Sequence, residues 1–428
     1  MNWLLLSGLS LLWLGSYYWS PLITVTFLFL SLYSLRGPTQ VIQVFSIISL
    51  LQLINPGIAL IATNSLKWLV ILLPFLWIIM HFFDLPLKKA NVLSSANTHL
   101  VFGLLLLPLC LISSFNPIIS TLKLLSFMAG GFTILKSFEL SEWSSEKWIK
   151  WFNTLFIFVI IGSLFIFLTP FGYFKNGRGF QGIFNHPQVL GVMAGLSSVW
   201  FFTQHKKKHR YAMGGLALVL VFFTKARIGF ILMVVSAFFL IVFENLYKKR
   251  TGLNSALKSF IIFIILIGIP TFLFFEDSTD LLIQFILKRT PQSGIIESFG
   301  ESRGQLIQKS LSNFLQNPLT GIGLGINSDF NYLNTQVSAA FDIPYSAPTE
   351  KGFMPTAILE ELGILGGGLT IGYLTIISSN GLVENSINGP WLFFAALCVN
   401  LGEFIFFSLG GIGLFHWLLI GFCCSHEN

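Results

Sequence analysis

Long apolar runs separated by short polar turns occupy most of the chain. Fourteen runs have the length or composition of membrane-spanning helices: roughly 3–18, 20–35, 39–62, 65–83, 97–113, 119–137, 149–169, 187–204, 210–224, 228–247, 258–275, 352–377, 388–408 and 410–424. Several are shorter than the ~20 residues a straight crossing requires, so pairs such as 3–18 and 20–35 also fit re-entrant segments, and the pattern predicts 11 to 14 spans. Pro56-Gly57 is expected to break the third. One long polar stretch, 276–351, interrupts the pattern and is too long for a plain connector. Within it Leu306, Ile307, Leu311, Phe314 and Leu315 share one helical face that ends at Asn317-Pro318, which predicts a short amphipathic helix at the membrane surface. No internal repeat or low-complexity tract is visible. The fold expected is an all-α polytopic membrane protein, a single transmembrane domain over 1–428, with 276–351 inserted as one long outer, periplasmic loop.

Composition points the same way. Of 428 residues, 54% are hydrophobic and 10% charged, mean hydropathy is +0.78, and there are 46 phenylalanines. A soluble chain of this length could not bury so much apolar surface. Cys110, Cys398, Cys423 and Cys424 lie in apolar segments without metal-ligand or disulfide spacing, as small buried hydrophobes do. The start, Met1-Asn2-Trp3, has no basic leader region or cleavage site, and is expected to be a retained first helix. The net charge of +7 does not indicate nucleic acid, because the basic residues sit in short loops between spans.

Those loops set the expected orientation. Lys206-Lys207-Lys208 with Arg210, then Lys248-Lys249-Arg250, and Lys88-Lys89 fall on one side of a fourteen-span arrangement, which the positive-inside rule places in the cytoplasm with both termini. His205 and His209 are four apart, but the lysines between them would repel a metal cation. The 276–351 loop then faces outside.

Five cations fall on that outer side against the rule: Arg178, Lys225, Arg227, Arg303 and Lys351. Together they predict an anion site, with phosphate favoured because the guanidinium fork binds its oxygens in bidentate fashion. Glycines flank Arg178 in Asn176-Gly177-Arg178-Gly179, which runs on to Asn185-His186-Pro187 at the start of a helix. Lys225 and Arg227 lie in the short turn Thr224-Lys225-Ala226-Arg227-Ile228-Gly229 at a helix N-terminus, whose partial positive charge also favours an anion. Arg303, in Glu301-Ser302-Arg303-Gly304, leads the amphipathic helix. The glycines of Asn317-Pro318-Leu319-Thr320-Gly321-Ile322-Gly323-Leu324-Gly325 have no preceding strand, so they predict a turn and no dinucleotide site. Glu350 and Glu361 are eleven apart, within ~20° of one helical face but about 16 Å apart along it, so they meet one group only if Pro355 breaks the helix, and Glu360 points elsewhere. Acids inside a span are expensive, which turns at least one toward the bundle interior.

The order of these elements resembles the O-antigen ligase/polymerase family of bacterial membrane glycosyltransferases. The similar parts are Gly-Arg-Gly…Asn-His-Pro, Lys-Ala-Arg-Ile-Gly, Ser-Arg-Gly with Asn-Pro-Leu-Thr-Gly-Ile-Gly, and Glu-Leu-Gly-Ile-Leu-Gly, covering about 175–366. The N-terminal half matches only as a multi-span bundle. The resemblance implies transfer of a polyprenyl-pyrophosphate-linked oligosaccharide on the outer face of the bacterial cytoplasmic membrane to a glycan or lipid acceptor. It implies no metal, no nucleotide sugar and no cofactor, and the sequence has no Asp-x-Asp pair. Family ligases usually carry His-Asn where this chain has Glu350-Lys351-Gly352, which favours polymerase over ligase.

On that basis Arg178, Arg227 and Arg303 hold the donor pyrophosphate and neutralise it as it leaves. Lys225 adds to that charge. Lys351 binds a phosphate or keeps Glu350 ionised. Glu350 is the first candidate for the base that deprotonates the acceptor hydroxyl in an inverting attack, Glu361 the second and His186 the third. His186 also fits a structural place beside Pro187. The competing class is a transporter of a small anion such as bicarbonate or of a lipid-linked glycan. Few ionisable residues lie deep in the spans, Glu403 with Asn400 being the main pair, and no inverted repeat supports ion-coupled transport. A purely structural assembly factor would not need the outer arginines.

Overall fold

The computed structural model describes residues 15–59, 64–83, 94–173, 179–203, 210–247, 304–329, 336–337, 344–346, 351–383 and 389–425. Thirteen α-helices lie among them: α1 (Pro21–Ser34), α2 (Pro38–Leu51), α3 (Asn64–Phe83), α4 (Ser95–Pro108), α5 (Pro117–Leu140), α6 (Ser145–Phe165), α7 (Pro187–Thr203), α8 (Arg210–Thr224), α9 (Arg227–Tyr247), α10 (Gln305–Gln316), α11 (Met354–Val383), α12 (Gly389–Cys398) and α13 (Gly411–Cys424). Five segments are long and apolar enough to cross a membrane: Ser95–Ser113, Pro117–Leu140, Ser145–Phe165, Arg227–Glu244 and Met354–Leu382. Seven further apolar helices have 10–17 residues. The chain is an all-α polytopic membrane protein. Twelve of the fourteen predicted spans correspond to these apolar helices, and the predicted spans 3–18 (but for its last residues) and 258–275 lie outside the described residues.

Two spans are shorter than expected, and an asparagine stands beyond the end of each. The third ends at Leu51, before the expected break. Asn55 fixes the turn after it by donating through Nδ2 to the carbonyls of Phe171 (2.7 Å) and Gly182 (3.0 Å). The run predicted over 388–408 is helical only to Cys398, with a 3-10 turn to Leu401. There Asn400 Oδ1 takes the Ile405 amide at 3.1 Å, a side-chain bond that competes with the helical ladder. The long polar segment holds α10 and a small antiparallel pairing of β1 (Gln336–Val337) with β2 (Pro344–Ser346).

The core is an aromatic stack across the bundle axis. Phe102 and Tyr373 stack at 4.3 Å, and Phe127 meets Phe407 edge-on at 4.9 Å. His99, fully buried among them, shares a hydrogen bond with the Tyr373 hydroxyl (2.7 Å). Such aromatic pairs add directional attraction to the dispersion that holds helices together in lipid. Small residues allow closer approach where α7 crosses α9: a Cβ on Gly195 would lie 2.6 Å from the Gly229 carbonyl oxygen.

The connections at one end of the bundle are stitched by backbone hydrogen bonds. Asn55 N–H donates to Ile183 O (2.8 Å), Asn185 N–H to Leu53 O (2.7 Å), Phe180 N–H to Phe223 O (3.1 Å), Phe115 N–H to Ile322 O (3.0 Å) and Phe404 N–H to Lys351 O (3.2 Å). This end gathers the turns after α2, α6, α8 and α10, those before α5 and α11, and the irregular stretch between α12 and α13. Thr39 with Ser141 and Asn380 with Ser95 tie the opposite end, each at 3.0 Å.

Candidate functional site

The site begins with a break in α11. Gly363 adopts φ 63° and ψ −164°, which interrupts the helix nine residues after it starts. A broken ladder inside a membrane leaves amides and carbonyls that need partners. The turn 317–323 supplies them. Ile322 N–H donates to Glu360 O (2.8 Å) and Gly323 N–H to Glu361 O (2.9 Å), while Ile364 N–H donates to Pro318 O (2.9 Å) and Leu365 N–H to Leu319 O (3.1 Å). Glycine is needed for this insertion. Gly321 has φ 71°, and a Cβ there would lie 2.5 Å from Glu361 C and Leu362 N. The glycine run is therefore a turn, as expected, and it serves as the splice for a broken helix.

Beside the splice lies a cluster of four charges, with Lys351, Glu360 and Glu361 buried and Lys123 partly exposed. Glu360 and Glu361 are both 0% exposed. Lys351 Nζ sits 2.8 Å from Glu360 Oε2 and 3.7 Å from Glu361 Oε1, and Lys123 Nζ, from α5, sits 3.8 Å from Glu361 Oε1. Two lysines and two glutamates balance when all are ionised, and such pairing offsets the cost of burying Lys351 and both acids. Glu360 also accepts hydrogen bonds from Ser310 Oγ (2.6 Å) and Asn313 Nδ2 (2.7 Å), both on α10. Neither oxygen of Glu361 accepts a hydrogen bond among the described residues.

This corrects the expectation that Glu360 points elsewhere. Lys351 precedes the first turn of α11, outside the helical register on which that expectation rested, and its long side chain reaches both acids. The break lies at Gly363 and not at Pro355, which stands in the first turn, where its missing amide costs nothing. Glu350 lies outside the described residues, as do Arg178 and Arg303. Lys351, expected to meet phosphate or Glu350, is 5% exposed and faces Glu360 and Glu361.

The second part of the site is the turn between α8 and α9. Lys225 is exposed and holds φ 54°, a left-handed conformation that closes the turn. Ala226 N–H is capped by Thr224 Oγ1 (3.1 Å), and Arg227 opens α9, half-buried. Gly179 packs here, since a Cβ on it would stand 2.7 Å from Thr224 O. Gly179, the described end of the Gly-Arg-Gly segment, thus lies against the Lys-Ala-Arg turn. His186 immediately precedes α7, and its Nδ1 takes the Gln188 amide at 3.1 Å. That bond caps the helix in the structural manner its position beside Pro187 suggested.

The two parts share a neighbour. Ile228 of α9 packs against Gly402, where a Cβ would be 2.8 Å from Ile228 Cγ1, and Phe404, two residues on, bonds to Lys351. The irregular stretch between α12 and α13 therefore touches both. Lys123, Ser310, Asn313 and Glu360 did not stand out in the sequence. Lys123 is a cation within an apolar run, and Ser310 and Asn313 are a polar pair three apart on the side of an amphipathic helix away from Leu311 and Leu315.

Among the described residues no group of three or more His, Cys, Asp or Glu side chains is placed to hold a metal ion. No protein-family model matches the chain, and no curated protein is similar to it at a significant level.

Proposed function

We propose that the protein is a membrane glycosyltransferase that transfers or polymerises polyprenyl-pyrophosphate-linked glycan, with polymerase favoured over ligase. One observation carries the reading. The segments that resemble the O-antigen ligase/polymerase family are far apart in sequence, yet in their described portions they pack in pairs at one end of the bundle: Gly179–His186 with the 224–229 turn, and 317–323 with α11. An ordered set of motifs that also converges in space is what a shared site requires.

In this reading Arg227, at the N-terminus of α9, binds the pyrophosphate with Arg178 and Arg303, and Lys225 adds charge at the exposed turn. The acceptor hydroxyl oxygen attacks the anomeric carbon, the bond from that carbon to the pyrophosphate oxygen breaks, and polyprenyl pyrophosphate departs with the electron pair. The hydroxyl proton goes to a carboxylate. Glu361 is enclosed by two lysines and His186 spends Nδ1 on a helix cap, so the reading assigns the base to Glu350. Lys351 belongs to the buried cluster and positions that segment. The lysine-rich stretches at 204–210 and 248–250 follow the ends of α7 and α9 at the opposite end, which supports an outward-facing site on the bacterial cytoplasmic membrane.

The broken α11 favours a second reading, because transporters build sites at discontinuous helices. One assay separates the two. Purified protein in lipid, given a polyprenyl-pyrophosphate-linked oligosaccharide, is expected to lengthen or transfer the glycan and release the lipid pyrophosphate. No turnover with any donor, together with flux of bicarbonate or lipid-linked glycan across proteoliposomes, would establish the transporter instead.

A further inference from the structure

We infer that Glu360 is a positioning residue whose buried carboxylate anchors both α10 and Lys351, two described parts of the long polar segment. Its kinetic consequence rests on the glycosyltransferase reading. Its structural consequence rests on geometry alone.

Three groups converge on this one side chain. Ser310 Oγ and Asn313 Nδ2 donate to Oε2 and Oε1, and Lys351 Nζ lies 2.8 Å from Oε2. Asn313 Nδ2 also donates to Ser328 O (3.0 Å), which draws in the chain beyond the splice. Ser310 and Asn313 are one turn apart, and they are the buried residues of α10. The amphipathic helix is thus seated through two polar side chains, with Leu311 and Leu315 exposed. Apolar packing is non-directional and lets a helix slide. Hydrogen bonds to a carboxylate fix register and rotation.

The anchored backbone carries two residues of the proposed chemistry. Arg303 precedes the first residue of α10 by two positions, and Glu350 precedes Lys351 by one. Covalent connectivity ties a proposed pyrophosphate ligand and the proposed base to backbone that Glu360 holds. Glu360 is itself 0% exposed, so it acts through those residues and touches no substrate.

The test compares Glu360→Gln and Ser310→Ala/Asn313→Ala with wild type, all purified in lipid. The double variant keeps the Glu360–Lys351 pair, so it carries the test if Glu360→Gln does not fold. Amide exchange over Gln305–Gln316 should quicken about tenfold or more in both, with exchange in α5 unchanged. With a polyprenyl-pyrophosphate-linked oligosaccharide as donor, the double variant should raise KM about tenfold while kcat stays within about threefold. Glu360→Gln should lower kcat as well, because Lys351 also loses its nearest carboxylate. Wild-type exchange in α10 would overturn the anchoring. Turnover by wild type with unchanged KM and kcat in both variants would overturn the positioning role and leave the function standing. Absence of turnover in wild type would sink the function, while the exchange result still decides the anchoring.

Discussion

The Gly323 amide donates to the Glu361 carbonyl oxygen at 2.9 Å, and the Glu361 side chain lies 3.8 Å from Lys123 on α5. One residue therefore joins the splice turn, the broken helix and a neighbouring span through both its backbone and its charge.

The charge cluster should behave as a coupled unit. Lys123→Met leaves the Glu361 carboxylate with a single cation and should destabilise the protein by about 1–3 kcal/mol. Adding Glu361→Gln removes the surplus charge, so the double variant should be more stable than the sum of the single losses by at least about 1 kcal/mol. Reversible unfolding in mixed micelles measures this cycle, and strict additivity would mean that the two groups do not interact.

Glycines at the splice should be irreplaceable, and those in open surroundings should not. Gly321→Ala forces a left-handed residue against the α11 backbone and should cost more than the ~1–2 kcal/mol of the backbone conformation alone. Gly368, also in α11, has nothing within 4 Å of the point where a Cβ would stand, so Gly368→Ala should leave folded yield unchanged. Detergent-solubilised yield and melting temperature separate the two variants.

Substitution of His186 distinguishes a cap from a base. His186→Asn preserves an acceptor for the Gln188 amide and should retain near wild-type stability and turnover. His186→Ala should lose about 1 kcal/mol of stability with turnover per folded molecule largely intact. Loss of turnover in a well-folded Asn variant would restore His186 as the base.

Arg227→Ala should reduce glycan transfer by about 10²-fold or more without unfolding the bundle, and Arg227→Lys should rescue poorly, because a point charge lacks the planar fork. Donor binding followed by tryptophan fluorescence, together with turnover, reads both effects. Normal turnover in the lysine variant would leave Arg227 as an ordinary interfacial cation.

Helix positions were legible because lipid-facing spans repeat one simple signal. Twelve apolar helices stand where hydropathy placed them. The ends of α2 and α12 were not legible, since Asn55 and Asn400 end those runs through bonds to residues distant in sequence or to the chain beyond the helix. Within the site, the cationic turn at Lys225–Arg227 and the glycine turn could be seen as motifs. Glu360 could not, because its direction depends on Lys351 outside the helix and on Ser310 and Asn313, fifty and forty-seven positions away. A helical wheel carries no information about partners that come from another segment.

The splice at Gly363 also bears on how the molecule is assembled. Its four backbone bonds join α11 to residues 317–323, so the broken form of the helix cannot exist before that turn has docked. A span in lipid without that turn would have to satisfy those amides and carbonyls within its own helix. The turn is translated before α11 and has to wait for it. The site is therefore complete only when both segments are in place, and insertion of the span does not by itself form it.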